Sequence, residues 1–152
     1  MLAELSYAAA VRALDLQERS VEQLRARTGT LLAAGYLTAS FLGAQAIRSR
    51  HGLGTLGVLA LVSLAVGVLV CLYILLPKRG FVFSVSGPRI YESLYEYASD
   101  RDEVLRRLAY WLEGFWTNNQ SQIDRLARCF PVAAVALTLQ LLFWAIGLTT
   151  AR

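Results

Sequence analysis

Charge is scarce in this chain of 152 residues: 17% of them are Asp, Glu, Lys or Arg, where a typical globular domain has roughly 25%. That poverty excludes a disordered acidic tail. With three prolines there is no collagen-like repeat, and with two cysteines no disulfide-stapled secreted module. Cys71 and Cys129 are expected to be reduced and structural. A single histidine, His51, cannot by itself supply a histidine metal set or a catalytic triad. What remains is apolar: 56% of residues are hydrophobic, and the mean hydropathy is +0.46.

The apolar residues are gathered into blocks. Thr28 to Ile47, Leu53 to Leu76 and Pro131 to Leu148 carry no charge. A bilayer core about 30 Å thick needs about 20 helical residues at about 1.5 Å each. The first two stretches reach that length, and the third does so with Thr149, Thr150 and Ala151. A soluble bundle is the competing reading, but so short a chain has little other protein to cover three helices that are apolar all round. The expected fold class is therefore an all-α membrane protein. Three transmembrane helices join long cytoplasmic amphipathic helices, assembled as a homo-oligomer. The expected segments are 1–27 (cytoplasmic N-terminal helix), 28–47, 53–76 and 131–148 (transmembrane helices), and 77–130 (cytoplasmic connection, mostly helical).

Basic residues orient the spans. Arg12, Arg19, Arg25 and Arg27 precede the first, and eight more, from Lys78 to Arg128, lie between the second and third. Three crossings put these twelve on one side, against Arg48, Arg50 and Arg152 on the other. The positive-inside rule places the twelve in the cytoplasm. Residues 1–27 lack the apolar block and cleavage site of a signal peptide, so the first span is expected to be an uncleaved anchor. The expected location is a bacterial inner membrane, multi-pass, with the N-terminus cytoplasmic and the C-terminus outside.

Residues 2–27 contain no proline or glycine and run without a stop signal into the first span, which predicts one long helix. Leu5, Leu14, Val21 and Leu24 form its expected apolar stripe. A tight hairpin is expected over 48–52. Phe81 to Ser86 (FVFSVS) suits an extended segment or a hairpin arm. Gly87-Pro88 opens a short helix, and Ser99, Asp100, Asp102 and Glu103 mark a further helix start. Val104, Leu108, Trp111, Leu112, Phe115, Ile123 and Leu126 then keep helical spacing up to Pro131.

Several motifs carry little chemistry. Gly52-Leu-Gly-Thr-Leu-Gly57 fits G-x-G-x-x-G, but no strand precedes it and no acidic residue follows before Glu92. Asn119-Gln120-Ser121 is a glycosylation sequon on the expected cytoplasmic side. No catalytic constellation, metal site or cofactor is expected, and the chain does not read as an enzyme.

The spans say more. Gly35, Ala39 and Gly43 recur on one helix face, as do Ser63, Gly67 and Cys71; small residues at this spacing let membrane helices approach closely. Two such stripes favour a homo-oligomer over packing within one subunit. Thr38 and Gln45 share a face of the first span, and Thr138 and Gln140 interrupt the third. Such residues either clasp neighbouring helices or line a pore, where water satisfies them. In the pore reading Leu31 and Leu42 form apolar rings beside Thr38 and Gln45. No charge lies within the spans, which argues against a proton pump or an ion-coupled transporter. Lys78, Arg79 and Arg89, near Phe81, Phe83 and Tyr91, either meet lipid headgroups or hold an anionic, base-containing ligand. The polar run Thr117 to Gln122 is either a lumen-facing or a hydrogen-bonded patch.

The segment Gln23 to Ala33 (QLRARTGTLLA) and the exit Leu76-Pro-Lys-Arg79 resemble small bacterial membrane effectors of cyclic-nucleotide anti-phage defence, the Pycsar transmembrane effectors and SLATT proteins. The Hailong membrane component is similar in layout. The likeness lies in the order of a cytoplasmic helix, two close spans, a helical cytoplasmic section and a C-terminal span. The resemblance implies a homo-oligomeric gated channel or membrane-disrupting effector that depolarises the inner membrane on infection. It also implies a nucleotide-derived signal or a nucleotidyltransferase-type partner protein. The chain has three spans rather than four and no recognisable nucleotide-binding domain. The competing function is a membrane-anchored scaffold that recruits a soluble partner through its cytoplasmic helices.

Overall fold

A computed structural model describes residues 1–48, 54–77, 81–83, 87–97 and 100–150. Among them all regular structure is helical, with no strand. The elements are α1 (Leu2–Arg48), α2 (Thr55–Leu75), α3 (Gly87–Leu94), a 3-10 turn at Tyr95–Tyr97, and α4 (Arg101–Thr150). Of the hairpin expected at 48–52, Arg48 ends α1, and 49–52, His51 included, lie outside the described residues.

α1 is unbroken for 47 residues. Its hydroxyls do not compete with the helix, because they donate back to it: Ser20 Oγ to the Leu16 carbonyl and Thr28 Oγ1 to that of Leu24. α2 ends where the Leu76 N–H reaches the Leu72 carbonyl and Pro77 forbids another turn. α4 starts at Asp100, whose Oδ1 accepts from the N–H groups of Asp102 and Glu103 at 3.1 and 3.2 Å, an N-cap. α4 then runs on through Pro131, which leaves the Ala127 carbonyl without its helical donor.

The chain divides into two compact units. The first comprises Met1–Gln23 and Lys78–Arg125, the second Leu24–Pro77 and Leu126–Arg152. In the first, α1 and α4 run parallel, since Glu4 meets Arg101 and Gln17 meets Trp116. The buried positions are Leu14, Gln17 and Val21 on α1, and Leu108, Leu112 and Asn119 on α4. Three- and four-residue spacing of this kind makes a coiled-coil seam. One expected stripe member is corrected: Leu5 is exposed, at 61%; Trp111, on α4 at helical spacing, is exposed as well, at 36%. Phe81 and Phe83 stack at 5.4 Å without regular backbone structure, and 84–86 lie outside the described residues.

In the second unit one core joins Cys71, Ala133 and Leu137 with Leu31, Leu32, Leu64 and Val70. Another joins Ala60 and Trp144 with Leu42 and Phe143. Among the described residues two helices are long and apolar enough to cross a membrane, α2 and α4. Only 22% and 28% of their apolar stretches is buried, whereas the core helix of a soluble protein is mostly covered. The corresponding part of α1 carries Thr38, Ser40 and Gln45 among its glycines and is not one of the two.

Candidate functional site

Two glycines of the second unit lie tight against one leucine of α4. A Cβ added to Gly35 would come 2.9 Å from Leu137 Cδ2, and one added to Gly67 would come 2.8 Å from both Cγ and Cδ2 of the same leucine. Leu137 of α4 fills the notch that each glycine opens, meeting Gly67 with its branch carbon and Gly35 with its end carbons. Gly43 faces Trp144 at 3.9 Å, while Ala39 and Ser63 are half-buried. Both small-residue faces thus pack on α4 of the same chain. Surface spare for a second copy is therefore not what the two stripes provide.

Leu31 and Leu42 are also used inside this unit, in the two cores. Thr38 is half-buried and its Oγ1 donates to the Ala34 and Gly35 carbonyls. Gln45 is exposed. The structure brings Gly35 and Gly67 against Leu137, packs Leu31 on the core that contains this leucine, and leaves Gln45 exposed on α1. Lys78 and Arg79 lie outside the described residues, as does the side chain of Arg89.

Gln140 is fully buried. Its Nε2 makes a long hydrogen bond of 3.5 Å to the Gly35 carbonyl. Among the described residues its Oε1 meets no donor, and the buried Trp144 Nε1, one turn along, meets no acceptor. These are weakly satisfied groups in an apolar core, where each unmade hydrogen bond is costly.

The polar run in α4 turns out to hold the first unit together. Asn119 is fully buried: its Oδ1 accepts from the Val82 N–H at 3.2 Å and its Nδ2 donates to the Val82 carbonyl at 2.9 Å. One amide therefore satisfies both backbone groups of a residue in the irregular 81–83 segment. Gln17 Nε2 donates to the Trp116 carbonyl at 3.0 Å and to Gln120 Oε1 at 2.9 Å, and Gln120 Nε2 donates to Asp124. Apolar periodicity misses Asn119 and Gln17 because both are polar. Their signal is position, on the seam with Leu112 and Leu14.

At the start of α4, Arg107 and Arg106 flank Glu103. The hydrogen bond from Arg107, helped by Arg106, holds this carboxyl below the usual carboxylate range. Arg107 also lies 3.7 Å from the centre of the Tyr97 ring, a cation–π contact. Among the described residues no cluster of His, Cys, Asp or Glu could hold a metal ion. No protein-family model, curated protein or solved structure matches the chain.

Proposed function

We propose that the chain is a three-span protein of a bacterial inner membrane that self-assembles into a gated ion pore. α1 serves as the third membrane crossing, and the first unit lies in the cytoplasm as gate or sensor. The observation that carries this reading is the contrast between Gln45 and Leu137. Leu137 seals the three-helix interior of one chain against Gly35 and Gly67, so a water path has to form between copies. Gln45 sits exposed on α1, within an apolar stretch where a primary amide needs water or a neighbouring copy. The Gln45 face of α1 then lines the path, with Thr38 at its border and Leu31 and Leu42 behind it. Opening in response to infection, through a nucleotide-derived signal or a nucleotidyltransferase-type partner, rests on the resemblance to defence effectors. In that scheme Lys78, Arg79 and Arg89 form the anion site.

The test is ion flux through the purified protein in liposomes, with empty vesicles as control. Flux that falls on Gln45→Leu supports the pore and its lining. Vesicles that stay tight with and without a panel of cyclic nucleotides overturn it. A second reading, a membrane-anchored scaffold for a soluble partner, is favoured by an open furrow in the first unit. It predicts partner binding without flux.

A further inference from the structure

Beside the seam of the first unit runs a furrow of about 1140 Å³ between the start of α1 and the start of α4. α1 lines it with Ala3, Ser6, Ala10 and Ala13, spaced three and four apart. This is the spacing at which a third helix meets a helix pair. Side chains this small leave room for another backbone to lie close. The wall from α4 includes Tyr110 and Trp116, rings that give an apolar seam something to pack on. Leu2 and Tyr110, at its edge, are 80% and 75% exposed. The furrow follows about 14 residues of helix, or about 20 Å.

Charge selects the occupant. Asp100, Asp102, Glu103 and Glu113 border the furrow, against Arg106 alone, and Arg106 is already paired with Glu103. Among the described residues no ion pair holds Asp102 or Glu113. The two bordering stretches, 1–23 and 100–125, hold nine acidic and six basic residues. A second copy docked through this same face would therefore bring like charge to an acidic rim.

We propose that this furrow docks one amphipathic helix of a partner protein, whose apolar seam is flanked by lysine or arginine. The inference rests on recruitment by the first unit and does not need the pore. Liposome flux and partner binding therefore succeed or fail separately.

The test uses the full chain in neutral phosphatidylcholine nanodiscs and two synthetic helical peptides of about 14 residues. Both carry a leucine seam, flanked by lysine in one and by glutamate in the other. Fluorescence anisotropy is expected to show the lysine peptide binding the protein discs but not empty ones. Asp102→Lys with Glu113→Lys, both at the surface, should weaken that binding by about tenfold or more and confer binding of the glutamate peptide. Ala10→Trp should block both. Equal binding to empty discs, or indifference to charge reversal, overturns the proposal. So does cross-linking between copies through Ala10→Cys, which would give the furrow to a second copy of this chain.

Discussion

Leu137 occupies, with one side chain, the space beside both Gly35 and Gly67, and the two glycines meet different parts of it. A methyl at position 35 meets the leucine's two end carbons, which rotate away at small cost. A methyl at position 67 meets the branch carbon Cγ as well as Cδ2, and the branch cannot move without the whole side chain.

The two glycine-to-alanine variants should therefore differ. Alanine gains about 0.5–1 kcal/mol over glycine within a helix, which offsets the mild crowding at position 35. Gly35→Ala is expected to be near neutral. Gly67→Ala should lose about 1–3 kcal/mol to overpacking. Unfolding in mixed micelles measures both. Leu137→Ala should relieve the second variant in a double-mutant cycle, and equal losses at both glycines would contradict the geometry.

Asn119 supports a prediction in the first unit. Asn119→Leu leaves the Val82 N–H and carbonyl without their partner, at a cost of about 1–3 kcal/mol per buried group. Asn119→Asp keeps an acceptor for the N–H and loses the donor, so it should fall between leucine and wild type. Hydrogen exchange at the Val82 amide reads this directly. It should quicken most in the leucine variant, and unchanged protection would mean that another group holds the segment.

How far the sequence is legible differs between these two sites. Uncharged blocks and an absence of proline and glycine over 2–27 make the long helices readable, and the recurring small residues mark Gly35 and Gly67. Their partner is not readable, since any large side chain on a third helix would serve. In the first unit Ala3, Tyr7 and Ala10 are half-buried positions leading to the seam at Leu14. Counting large apolar residues therefore selects Leu5, which lies off it. Asn119 and Gln17 occupy seam positions as polar residues, which apolar counting discards. Val82, as the partner of Asn119, lies 37 positions away, and an amide that binds backbone leaves no trace in its partner's side chain.

The buried amide of Gln140 leads to an inverted expectation. Its acceptor is unmatched and its one donor bond is long, so an apolar residue of similar length should do no harm. Gln140→Met is expected to be neutral or to stabilise the second unit by about 1 kcal/mol. A clear loss of stability in this variant would show that water or a second copy satisfies the amide in the membrane.

Glu103 ties the first unit to pH. Its carboxyl lies below its ordinary range because Arg107 and Arg106 favour the charged form. A depressed folded value means the pair stabilises the fold above the unfolded value, about 4.3 for glutamate, and that this contribution disappears as pH falls through the lower folded value. The side chains of Arg106 and Arg107 are 63% and 44% exposed, so solvent and salt weaken the pair and the effect is small. Comparing the melting temperature of Glu103→Gln with wild type should give a deficit at pH 7 that shrinks with added salt. The same deficit should close at a pH below the folded value, where wild type too carries a neutral side chain. A difference that persists in acid would assign Glu103 a packing role in place of an electrostatic one.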